Sequence, residues 1–123
     1  MEVVIVDGAN VVGSEPDGWW RDRAGAARRL HDRVISADLP SDEVVLVLEG
    51  AAKQGVSVGG DGRVRVVHAP ASGDDEIVAE AERQRDVGDG REVIVVTADR
   101  ALRDRVVEAG AETRGPRWLL DQL

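Results

Sequence analysis

The chain has 123 residues, a formal net charge of −8 and no cysteine. That length suits one domain spanning 1–123, able to bury a single core unaided, and the missing thiols exclude thiolate zinc sites, cysteine catalysis and disulfide bridges. The acidity argues against a broad electrostatic grip on nucleic acid, and with no apolar run near membrane-spanning length and no signal-peptide pattern, a soluble cytoplasmic protein is expected.

The first predicted element is a buried strand, Val3 to Val6, a continuous apolar run that stops at Asp7 and Gly8. Asn10 follows, so two oxygen-bearing side chains leave the strand together, with Gly8 read as the residue that lets the chain turn. Residues 13–18 (GSEPDG) are turn formers. From Trp19 to about Ala37, apolar residues at Trp20, Ala24, Ala27, Leu30 and Val34 share one helix face. This segment is locally basic, with Arg21, Arg23, Arg28, Arg29 and Arg33 against Asp22 and Asp32. A second strand, Glu43 to Leu48, ends in Glu49 and Gly50 and so echoes the first. Residues 51–62 read as a glycine-rich loop with a weak strand at Val56 to Val58.

A third strand runs from Arg63 to His68. The helix after it, from about Asp74 to Asp86, opens on Ser72 and Asp75 at capping-box spacing, with acids gathered where the helix dipole favours them. A fourth strand, Arg91 to Thr97, leads into a helix from Asp99 to Ala109, with Leu102, Val106 and Val107 inward and Gly110 as its C-cap. Ala111 to Thr113 forms a short last strand, and Pro116 opens a terminal helix.

Near-continuous apolar strands separated by helices indicate an α/β three-layer domain with a central, mainly parallel sheet of four to five strands. Binding sites in such sheets lie beyond the strands' C-terminal ends. That edge collects Asp7, Asn10, Glu49, Asp74, Asp75, Thr97 and Asp99. Carboxylates gathered so closely repel one another unless a cation sits among them, and oxygen donors without cysteine or a nearby histidine select Mg²⁺ or Mn²⁺. Phosphoryl transfer or phosphodiester hydrolysis is the natural chemistry. Asp99 also suits an N-cap, and of Asp74 and Asp75 one is expected to face the site while the other caps the helix.

Two other metal-dependent α/β families fail on the residues. A haloacid-dehalogenase-type phosphatase needs a second aspartate where this chain has Ala9, and a downstream lysine, whereas the only lysine is Lys53. A response-regulator receiver needs an early acidic pair and a late lysine. GGDG at 59–62 lacks the Lys and Ser/Thr of a P-loop.

VDGANVVGSEPDGWWRDR at 6–23, LEG at 48–50, SGDDEI at 72–77 and VVTADRALRDRV at 95–106 resemble, in order and spacing, the NYN branch of the PIN-like ribonucleases, in particular its YacP-like group. The resemblance implies a three-layer PIN-like (Rossmann-like) fold and a metal-dependent endoribonuclease using Mg²⁺ or Mn²⁺. It implies Asp7, Asp74 or Asp75, and Asp99 as metal-binding acids, of which Asp7, Asp75 and Asp99 are taken as the catalytic set, with Asn10 and Thr97 orienting ligands or phosphate. Glu49 stands where the family usually has aspartate and is the outer candidate ligand; Ala98 stands where the family often has serine.

Trp19 and Trp20 head the basic helix. Helical spacing assigns Trp20 to the core, which leaves Trp19 as the candidate to stack on an RNA base. Arg21, Arg23 and Arg100 are the candidate substrate-binding cations. His31 and His68 are expected to be structural. The resemblance makes RNA the expected partner, with a ribosomal or protein partner left open by the sequence. The alternatives are a catalytically inactive module that binds RNA or protein, and a metal-dependent hydrolase of small nucleotides.

Overall fold

Six strands form one sheet: β1 (Glu2–Asp7), β2 (Glu43–Leu48), β3 (Gly59–Asp61), β4 (Val64–His68), β5 (Glu92–Val96) and β6 (Glu112–Arg114). The computed structural model describes residues 1–123. The sheet order is β3-β4-β2-β1-β5-β6, and every pairing is parallel except the short β3–β4 edge. Four helices lie between strands, α1 (Gly8–Gly13), α2 (Arg23–Ala37), α3 (Gly73–Asp86) and α4 (Arg100–Glu108), and a fifth, α5 (Pro116–Leu120), follows β6.

The valine-rich runs explain the three layers. Successive side chains leave a strand on opposite faces. Val4, Val6, Val44, Leu46, Leu48, Ile94 and Val96 therefore pack with Val11, Ala27, Leu30, Val34, Leu119 and Leu120 on one side. Val3, Ile5, Val45, Val47, Val93 and Val95 pack with Ile77, Ala81, Leu102 and Val106 on the other. The expected α/β architecture with a mainly parallel sheet is the one found.

Several boundaries differ from expectation for local reasons. The sheet gains one short strand, β3, antiparallel to β4 and turned by Gly62 at φ +61°. Residues 56–58 form no strand: Val56 is buried and its carbonyl oxygen lies 2.7 Å from His68 Nε2, while Val58 is exposed. The long helix begins at Arg23 because Asp22 accepts the Gly25 N–H at 2.9 Å and caps it there. Trp19–Arg21 is a separate 3-10 turn. The helical register therefore does not reach Trp20, which is 54% exposed instead of in the core. In α4, Leu102 and Val106 point inward, but Val107 lies one residue round the helix and is exposed. Gly110 takes the left-handed φ of +95° that ends this helix.

Gly8 opens α1 instead of a turn. A Cβ there would lie 2.6 Å from the Val47 carbonyl oxygen and 2.9 Å from Leu48 Cδ2. The glycine is required by close approach to β2, which keeps Asp7 and Glu49 on neighbouring strand ends.

Candidate active site

Asp7 ends β1 and is only 6% exposed. Its Oδ1 accepts the Asn10 N–H at 3.3 Å, the N-cap of α1, and its Oδ2 accepts the Thr97 hydroxyl at 2.9 Å. The Thr97 oxygen in turn accepts the Asp99 N–H at 3.1 Å, and Asp99 Oδ1 accepts the Leu102 N–H at 3.0 Å, capping α4. Asn10 Oδ1 accepts the Ala98 N–H at 2.8 Å. One chain of hydrogen bonds thus ties the exit of β1 to the exit of β5. Each strand delivers an aspartate to the point where a helix begins, so the acid both caps the helix and faces the sheet edge.

Glu49 and Asp74 join from the other side of β1. Glu49 Oε2 accepts the Gly73 N–H at 2.9 Å. Ser72 Oγ accepts the Asp75 N–H at 3.2 Å, so Ser72, not either aspartate, caps α3. The two aspartates separate: Asp74 is half-buried, whereas Asp75 is 72% exposed and accepts from Arg105 at 2.9 Å.

Electrostatics distinguish the same residues. Burial pushes the Asp7 carboxyl above the ordinary carboxylate range; hydrogen bonds from Thr97 and Asn10 work against this, and the charges of Asp74 and Glu49 add to it. Asp74 is raised by burial, then by Asp99 and Glu49, with Arg105 opposing and Asp75 adding slightly. Asp7, Glu49, Asp74 and Asp99 therefore form one repelling set, to which Asp75 is peripheral. As the side chains are positioned, no three carboxylates or imidazoles close around a common metal-holding point.

The remaining expected site residues fall into two groups. Thr97 is fully buried and its hydroxyl is committed to Asp7, so it positions the acid and is not open to a substrate. Asn10 has its side-chain oxygen engaged by Ala98, leaving its amide nitrogen free to donate. Trp19 is half-buried and meets Trp20 edge to face at 5.9 Å. The Arg23 guanidinium lies over Trp19 at 4.9 Å and that of Arg21 over Trp20 at 5.8 Å. Arg28, Arg29 and Arg33 are paired with Asp32, Asp17 and Glu15, an ordinary solvated helix face. Arg100 is exposed on the first turn of α4 beside Asp99. Neither histidine joins the acids: His68 meets the Val56 carbonyl, and His31 lies near Asp32.

Two positioning residues were not anticipated from the sequence. Arg103 Nε donates to the Thr97 carbonyl at 2.8 Å and braces the turn into α4, and Arg105 draws Asp75 away from the acids. The Arg103 contact is local to the β5–α4 turn, whereas Arg105 reaches Asp75 across thirty residues of chain.

Two solved structures superpose on almost the full chain. The crystal structure of Rae1 (YacP) from Bacillus subtilis aligns with a TM-score of 0.67 at 20% identity, covering 99% of this chain and 73% of that one. This chain has the fold of Rae1. A tryptophan-to-leucine mutant of Rae1 aligns with a TM-score of 0.68 at 18% identity, over 99% of this chain and 74% of that one. No protein-family model and no curated protein matches the sequence. At such identities the likeness to Rae1 is one of fold, the PIN-like α/β arrangement expected from the sequence.

Proposed function

We propose that this protein is a metal-dependent endoribonuclease that uses Mg²⁺ or Mn²⁺ to hydrolyse RNA phosphodiester bonds. The observation that carries the reading is the repelling set of Asp7, Asp74, Glu49 and Asp99 gathered at the sheet edge, with Asp7 and Asp74 both raised and Arg105 opposing at Asp74. A hard divalent cation relieves that repulsion, and an all-oxygen donor set suits Mg²⁺ or Mn²⁺. The residue pattern that resembles the NYN branch supports RNA as the substrate.

Asp7, Asp74 and Asp99 would hold the ion, with Glu49 at its margin. When bound, it supplies charge neutralisation at the phosphate and an activated water. As positioned, no three of the acids converge on one point. The rest of the chain's contribution is positional. Thr97 and the Asn10 N–H fix both oxygens of Asp7, and the free amide nitrogen of Asn10 is placed to donate to a phosphate oxygen. Arg21, Arg23 and Arg100 offer charge to the strand on either side of the acids.

Incubation with single-stranded RNA, structured RNA and nucleoside triphosphates, each with Mg²⁺, Mn²⁺ or EDTA, tests the proposal. Metal-dependent internal cleavage of RNA alone is expected. Turnover of triphosphates with intact RNA would assign the site to small nucleotides. The open spacing of the acids favours one second reading, a module that binds RNA or protein without cleaving; such a module shows no tight site in a calorimetric Mn²⁺ titration.

A further inference from the structure

We propose that the cavity of about 350 Å³ beside the acids, walled by Trp19 and Arg23 and edged by Glu49, holds a single unpaired nucleobase of the RNA strand. Glu49 would select a base that carries an amino group. The proposal rests on the ribonuclease reading for the identity of the strand.

Place, size and wall chemistry support it. Gly8 and Glu49 border the cavity and are also next to, or part of, the acidic set around Asp7, so a base in the cavity leaves its phosphate beside those acids. The volume is at the lower end for ligand pockets, which suits one flat heterocycle. Its inner surface is apolar, formed by Val12, Ala27 and Leu48, with Ala52 and other small side chains leaving the space open. The Arg23 guanidinium lies over the Trp19 indole at 4.9 Å, so the two form one stacked cation–aromatic wall against which an unpaired base can pack, and the guanidinium adds the positive charge that a nucleotide's phosphate needs.

Glu49 gives the pocket its selectivity. Its Oε2 is held by the Gly73 N–H, while Oε1 makes no hydrogen bond within the chain. A carboxylate only accepts, so it favours the amino groups of adenine, cytosine and guanine. Uracil brings a ring N–H flanked by two carbonyl oxygens, which the carboxylate repels.

The test uses the Trp20→Phe, Trp118→Phe chain with Asp7→Asn added to stop cleavage, leaving Trp19 as the only indole. Its emission is followed with Mg²⁺ present during titration with oligoadenylate, oligouridylate and a fully abasic strand, all about seven nucleotides long, and with AMP. Oligoadenylate is expected to quench Trp19 and to bind about tenfold more tightly than the abasic strand, as loss of a base–aromatic stack implies, and more tightly than oligouridylate, which Glu49 disfavours. Glu49→Gln should narrow the adenine preference, and Ala52→Met, which puts a longer side chain into the cavity, should abolish it. Equal binding of the abasic strand, or unchanged Trp19 emission, overturns the pocket; AMP binding as tightly as oligoadenylate overturns an RNA strand as its occupant. The two readings fail separately. RNA cleavage by the unaltered chain without a Trp19 response removes only the pocket, and adenine-selective quenching without cleavage of any RNA removes only the ribonuclease.

Discussion

The Thr97 hydroxyl donates to Asp7 Oδ2 at 2.9 Å while its oxygen accepts the Asp99 N–H at 3.1 Å, so one fully buried side chain couples the acids of two strand ends. Thr97→Val keeps the shape and removes both bonds. It is expected to cost about 1–3 kcal/mol, the penalty for buried polar groups left unpaired, and to push the Asp7 carboxyl higher still, because a bond that lowers it is gone. Thr97→Ser should retain most of the stability. Urea denaturation of the two variants at neutral pH measures the difference.

Asp7 carries a cost to the fold that its neutral analogue should remove. Its folded pKa is raised by burial, with Asp74 and Glu49 adding. Between the ordinary carboxylate value and the raised one, the folded state binds more protons than the unfolded state. The stability of the protonated form is complete below the unfolded value and is lost as pH rises through the folded one. At neutral pH without metal, Asp7→Asn is therefore expected to gain roughly 0.5–2 kcal/mol. Its amide can still accept from Asn10 and donate to the Thr97 oxygen. RNA cleavage should disappear in the same variant, and Mn²⁺ should raise the melting temperature of the unaltered chain but not of the variant. A variant that melts lower and still cleaves contradicts both parts.

Strands, their order along the chain and the acids at their ends were legible because buried parallel strands are written as unbroken apolar runs, and Asp7 and Glu49 interrupt those runs abruptly. Trp20 was misplaced because periodicity cannot show that Asp22 caps a new helix and resets the register. Asp74 and Asp75 were inseparable because neighbouring residues on a helix differ only in direction, which Arg105 from α4 decides. Glu80 gave no signal at all. It is 1% exposed, and although burial opposes its ionisation, bonds from Gln84, Arg83 and Arg65 outweigh this and hold its pKa below the ordinary range. Arg65 reaches it from β4, a contact that a polar residue in a helical pattern does not announce.

The two adjacent aspartates of α3 should respond differently to the same change. Asp74→Asn removes a half-buried member of the repelling set and is expected to abolish cleavage and Mn²⁺ stabilisation. Asp75→Asn removes a surface pair with Arg105, worth at most about 1 kcal/mol, and should cleave within about threefold of the unaltered chain, a change of well under 1.4 kcal/mol in the barrier. Initial cleavage rates on one single-stranded RNA compare them. Loss of activity in Asp75→Asn with retention in Asp74→Asn would exchange their roles.

Asp99 has two functions that two substitutions separate. Its Oδ1 caps α4 through the Leu102 N–H at 3.0 Å, and its charge acts on Asp74. Asparagine caps a helix as well as aspartate does, whereas alanine does not. Asp99→Asn is therefore expected to fold with unchanged stability and to lose Mn²⁺ affinity and cleavage. Asp99→Ala should lose both and, in addition, about 1 kcal/mol of stability. Thermal melts with and without Mn²⁺ read the cap and the charge in one experiment. Equal Mn²⁺ stabilisation of Asp99→Asn and the unaltered chain would confine Asp99 to capping and leave Asp7 and Asp74 to hold the ion with Glu49.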